Sequence, residues 1–285
     1  MPFAFAEMSS ANFEIRWDTL SSGGDDTSSS ASYLLRDTAG DAGIGDSTSA
    51  SYELAAGYRQ GVNDQVITFE VFAQDNGTEQ AATALVSTTI TTSTAGLSID
   101  DFILLVQDKG ASQVSAVGRI VSIGAGTITL DELKDGGTAP TIDGTNDFVY
   151  ALTSSTAALG TLDVAAVNTS VVAFDVTAEA DAGYTVQMMD DGNLRNGGND
   201  INDVADGTVT AGSEEYGGRS SDTTLAGSTF DTADTAVTTG FQDVADRSVA
   251  SFSSRDFVTL KASMTGATEN LAYANVTSFV ISGNY

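Results

Sequence analysis

Apolar residues in this chain recur at every second position and almost never at the three-to-four spacing of a helix. That period confines the fold to β-structure, because alternate residues of a strand line one face. Near the C-terminus, Leu271, Tyr273, Asn275, Thr277, Phe279 and Ile281 alternate with Ala272, Ala274, Val276, Ser278 and Val280. Gln65–Phe72 is apolar on parts of both faces, as a central strand would be. Phe102–Gln107 is one continuous apolar run, and Gly124-Ala125-Gly126 separates the strand patterns Val117–Ile123 and Thr127–Leu130 as a hairpin turn would. Further strands are expected at Ala84–Thr92, Asp147–Leu152, Val171–Thr177, Gly183–Met189 and Phe257–Met264. With only 2 prolines and no helical periodicity, the reading is all-β. Three parts are expected: an N-terminal strand-repeat segment (1–61), a small middle β-barrel-like domain (62–157) and a C-terminal β-sandwich (158–285).

The N-terminal part is organised by repetition. Ser9-Ser10-Ala11-Asn12-Phe13-Glu14-Ile15 recurs as Ser29-Ser30-Ala31-Ser32-Tyr33-Leu34-Leu35 and as Thr48-Ser49-Ala50-Ser51-Tyr52-Glu53-Leu54. Repeats of this size are supersecondary units that bury their apolar face only against neighbours. Three such strands make a small core, so the segment is expected to pack on the rest of the chain or on another subunit. Phe13, Ile15 and Trp17 share one strand face, with Leu20 just beyond, and the stretch leads into a Gly/Ser/Asp-rich linker. That is the form of a donor strand, which adds to the open sheet of a neighbour. An ordinary intramolecular strand is the competing reading.

Charge and missing side chains limit the chemistry. The 285 residues carry 39 Asp and Glu against 11 Lys and Arg, a net charge of −28. Such a surface repels phosphate backbones, and no nucleic-acid partner is expected. Cysteine and histidine are absent, which removes disulfides, zinc and haem sites, and every nucleophile–histidine triad. Carboxylate-only hydrolysis stays formally open for the doublets Asp25-Asp26, Asp100-Asp101, Asp131-Glu132 and Glu214-Glu215, but no enzymatic activity is expected. No apolar run reaches the roughly 20 residues that span a bilayer. Ala4-Phe5-Ala6 has the small-x-small form of a signal-peptidase site, which would start the mature chain at Glu7 and export it to the cell surface; an edge strand formed by these six apolar residues is the competing reading.

One loop has the composition of a cation site. Between residues 190 and 207, Asp190, Asp191, Asn193, Asn199, Asp200, Asp203 and Asp206 offer hard oxygen ligands among glycines, as Ca²⁺ loops do. The spacing is not that of an EF-hand. The alternative is a loop of Asx turns, in which Asn and Asp side chains bond their own backbone.

The triple repeat, with Asp37-Thr38-Ala39-Gly40-Asp41 between its second and third copies and Ala56-Gly57-Tyr58 after the third, resembles the N-terminal region of secreted surface proteins from uncultured bacteria of the candidate phyla radiation. Ala182-Gly183-Tyr184-Thr185-Val186, Asp190-Asp191-Gly192-Asn193-Leu194 and Asp206-Gly207-Thr208-Val209 are similar to their C-terminal β-sandwich. The resemblance covers about half the chain and implies an exported surface protein without catalytic residues. Taken together, these features lead to the expectation of an extracellular structural subunit that forms a homopolymer by strand addition. The alternative is a monomeric adhesin or carbohydrate-binding module making cell-surface or glycan contacts.

Overall fold

The computed structural model describes residues 66–284 and, before them, the backbone of six short strands. The chain is all-β and divides into two units, residues 1–65 and 66–285.

In the first unit each repeat is a hairpin. Strand β1 (Met8–Ser10) pairs with β2 (Phe13–Ile15), β3 (Ser28–Ser29) with β4 (Leu34–Leu35), and β5 (Gly45–Thr48) with β6 (Glu53–Ala56). The registers place the three pairing axes at one point of the repeat: between Ala11 and Asn12, between Ala31 and Ser32, and between Ala50 and Ser51. The sequence reads the small-residue run as a lead-in to one strand. Instead, two short strands on either side of that point pair antiparallel in each copy.

The second unit is built on strands that bury both faces. Its elements are β7 (Ile67–Gln74), β8 (Gln80–Val86), β9 (Thr89–Thr92), β10 (Phe102–Gln107), β11 (Val114–Gly124), β12 (Thr127–Leu130), β13 (Lys134–Asp135), β14 (Phe148–Ser154), β15 (Asn168–Ala178), β16 (Tyr184–Asp190), β17 (Leu194–Asn196), β18 (Asn199–Ile201), β19 (Glu215–Ser220), β20 (Gln242–Arg247), β21 (Ser251–Ser263) and β22 (Thr277–Gly283). Strands β10-β11-β12-β9-β8-β14 close into a six-stranded barrel through the β10–β14 pairing. Closure removes exposed edges. The barrel interior is filled by Ala82, Ile90, Ile103, Leu105, Ile120, Ile128, Leu130, Val149 and Ala151.

The sheet continues from β14 into β7-β15-β21-β19, and the three-stranded sheet β20-β16-β22 covers its other face. Phe174, Val176, Tyr184, Val186, Met188, Val258 and Leu260 pack between these sheets as the sandwich core. On the opposite face, Val171, Ala173 and Phe257 meet Phe102, Leu104, Tyr150 and Leu152 of the barrel. The continuous run Phe102–Val106 is thereby explained, since Ile103 and Leu105 point into the barrel while its neighbours pack on the sandwich.

Three elements differ from the sequence reading. Gln65–Phe72 is expected in the middle domain, but Ile67–Gln74 pairs with β15 along most of its length and lies in the sandwich sheet. Ala84–Thr92 is two strands, reversed at Ser87-Thr88, where Val86 faces Thr89 and Ser87 takes a φ of 55°. The final strand begins at Thr277 rather than Leu271, because Ala274 pairs with Arg195 and the Asn196 amide donates to the Ala272 carbonyl. These bonds draw residues 272–274 toward the β17–β18 hairpin.

Candidate functional site

The acidic loop begins where β16 ends. Asp190 faces Thr277 of β22 and is fully buried, and Asn275 Nδ2 donates to its Oδ2 at 2.5 Å. Its Oδ1 has no hydrogen-bond donor, nor has the buried Oδ1 of Asp203. Burial pushes the Asp190 carboxyl up to about 6, and nearby Asp203 adds to the rise, against the hydroxyls of Thr277 and Tyr216 and the Asn275 amide. Burial likewise raises Asp203, with Asp200 contributing.

The other loop residues are engaged locally. Arg195 pairs with Asp191 at 2.6 Å and holds its carboxyl below the usual range. Asn193 Nδ2 donates to Asp200 Oδ2 at 2.9 Å, and Asp206 Oδ1 accepts from the Thr208 amide at 3.0 Å. Asn199 opens β18 opposite Asn196 and is exposed. Among the described residues no three Asp, Glu, His or Cys side chains lie close enough together to hold a metal ion. The loop is thus folded by Asx-type bonds, one ion pair and the Arg195–Ala274 pairing.

Asp190 yields a pH-dependent prediction. Its folded value lies above the 3.8 of a free carboxyl. The stability it contributes is therefore fully present below pH ~4 and lost as pH rises through ~6. Asp190→Asn is expected to stabilise the protein at pH 7 by about 1–3 kcal/mol and to leave it unchanged near pH 3. Urea melts of both proteins across this range check it, and a constant difference would refute the assignment.

Of the proposed assembly residues, Phe13 and Ile15 lie on β2, opposite Ser10 and Met8 of β1. Trp17 and Leu20 lie outside the described residues. Each carboxylate doublet within the second unit has at least one side chain that accepts a structural hydrogen bond or ion pair. Asp131 and Glu132 receive Arg255 at 2.8 and 3.3 Å, Glu214 accepts from Asn202 and Thr268, and Asp101 accepts from the Ser98 amide. Asp25 and Asp26 lie outside the described residues.

Ion pairs between barrel and sandwich are what the sequence reading misses. Arg119 of β11 and Arg255 of β21 both donate through Nε to Asp175 of β15 at 3.1 Å. Their guanidinium carbons lie 5.1 and 5.8 Å from the Phe102 ring centroid, within cation–π range. Beside them, Arg247 bridges Asp222 (3.0 Å) and Asp256 (2.5 Å), and Lys134 of β13 reaches Asp256 at 3.3 Å. The available signal was an arginine inside an otherwise apolar strand, as in Val117-Gly118-Arg119-Ile120-Val121.

Comparison with protein-family models, with curated proteins and with solved structures returns no match.

Proposed function

We propose that this chain is a structural subunit of an extracellular fibre, pilus-like filament or surface lattice, in which protomers are joined by β-strand addition. The observation that carries this reading is the open side of the sandwich. Strand β22 pairs with β16 along one edge, and among the described residues no strand pairs with its other edge. The facing sheet stops on the same side, since β7 meets β14 only at Ala73 and Gln74. Phe279 and Ile281 of β22, and Ile67, Phe69 and Val71 of β7, face the core yet stay only half-buried. An added strand would complete the backbone pairing and cover this apolar margin, and it would remove an aggregation-prone edge.

The occupant we assign is the N-terminal segment of a second copy, whose Phe13, Ile15 and Trp17 alternate at strand spacing. Subunits of net charge −28 repel one another, so polymerisation should require salt or bound cations, with Ca²⁺ one source of screening. A monomeric adhesin is the second reading, favoured by Phe252 (69% exposed) and Val249 (61%) at the β20–β21 turn.

Negative-stain micrographs distinguish the two. The full-length chain is expected to form ordered polymers, and a chain lacking residues 1–20 isolated particles. Isolated particles from both would overturn strand addition in favour of the adhesin, and polymers unchanged by EDTA would remove the Ca²⁺ part alone.

A further inference from the structure

Lys261 is one of three lysines in the chain, and it is 9% exposed. It lies on β21 directly opposite Gly217 of β19 and Thr169 of β15. Opposed residues of an antiparallel pair project to the same face, so Lys261 shares the face of Gly217. That face is roofed. A Cβ on Gly217 would meet Val204 Cγ1 at 2.6 Å and the Thr235 carbonyl at 3.0 Å, and Val204 clusters with Val167 and Val209. The missing side chain at 217 leaves room for the lysine stem beneath this apolar cover.

The ammonium ends 2.8 Å from Oδ1 of Asp234, whose side chain is 4% exposed. The approach lacks hydrogen-bond angles, and Oδ1 has no donor. The other oxygen, Oδ2, accepts the Val209 amide at 2.9 Å. The next amide, Thr210, donates to Glu215 Oε2 at 2.9 Å, which fixes the same turn from β19.

An amine and a carboxyl group are therefore held in contact where water is scarce. A buried ion pair pays heavily for desolvation and recovers it only with good geometry, which this pair lacks. The Val209 N–H already points at the oxygen on which negative charge would develop during attack at the carboxyl carbon. Groups held this way react as if at effective molarities of roughly 10⁵–10⁸ M.

We propose that Lys261 and Asp234 condense to an intramolecular isopeptide bond. The Nζ–Cγ bond forms, the Cγ–Oδ1 bond breaks, and Oδ1 leaves as water with two protons of the ammonium. The third proton stays on the amide nitrogen, so charge balances and no further reagent is needed. The product replaces a poorly bonded ion pair with a neutral amide. It also supplies a covalent staple to a chain that has no cysteine. The inference does not depend on the assembly reading.

Tryptic mapping of the purified full-length protein tests it. An acylated Lys261 is not cleaved, so residues 256–285 are expected to be recovered joined to residues 220–247, one water lighter than the two segments combined. In Lys261→Arg, which keeps the cation and cannot form this bond, the branched product should disappear. Release of 256–261 as a free peptide from the wild-type protein would overturn the proposal. So would a loss of water confined to 220–247, which indicates a succinimide, or a branch that persists in Lys261→Arg.

Discussion

Replacement of Arg247 by alanine is expected to lower the unfolding free energy by about 3–5 kcal/mol, the usual cost of removing one partner from a buried ion pair. Arg247 is the shared cation of two carboxylates, Asp222 with a side chain 4% exposed and Asp256 with none exposed. Without it, Asp222 keeps the amides of Asp246 and Thr224, and Asp256 keeps Lys134 and the Ser221 hydroxyl. Those partners do not neutralise two charges. Burial already raises the Asp256 carboxyl even with Arg247 present, so the variant should take up a proton there. Its deficit should accordingly shrink as pH falls. Urea denaturation is the appropriate measurement because urea does not screen charge. A deficit below 1 kcal/mol at pH 7 would show that the pair is no more than a surface contact.

The same contacts explain how a chain of this charge holds its shape. Lys109, Arg119, Lys134, Arg195, Arg247, Arg255 and Lys261 all sit in ion pairs. Among the described residues these cations form internal joints, and Arg119, Lys134 and Arg255 join barrel to sandwich. The excess of carboxylates, a net charge of −28, gives copies of the chain a mutual repulsion that salt or bound cations would screen.

Period-two patterning made most strands legible in the sequence. Phe102–Gln107 and Thr127–Leu130 are found at the expected residues, and the acidic loop follows β16 as its glycines and aspartates indicate. Strand β19, Glu215-Tyr216-Gly217-Gly218-Arg219-Ser220, was illegible because two adjacent glycines read as a turn. They are there for close packing. A Cβ at 217 would strike Val204, and one at 218 would crowd Phe230, Val258 and Leu260. The ion-paired seam was illegible for a different reason. Its members come from residues 70 to 256, and they meet only where the closed barrel packs against β15 and β21. Spacing along the chain carries no trace of that.

Glycine also sets the second large effect expected. Gly183→Ala should destabilise by about 2–5 kcal/mol, from two penalties that act together. Gly183 has a φ of +78°, the left-handed region that costs a residue with a side chain about 1–2 kcal/mol. Its Cβ would also overlap the Arg247 carbonyl and stand 2.8 Å from the Val249 amide. Both are backbone, so no side chain can swing aside. The position is further fixed because the Gly183 amide donates to Ala180 and its carbonyl accepts from Asn284. Here β16, β20 and β22 come level, with Tyr184 opposite both Arg247 and Gly283. Gly197, with a φ of +64° and nothing near its would-be Cβ, isolates the conformational penalty. Gly197→Ala should therefore cost only about 1 kcal/mol. The gap between the two midpoints in urea measures the overlap alone. Equal losses would mean that β20 can move away from Gly183, and Arg247 with it, which would weaken the case for a rigid joint at Asp222 and Asp256.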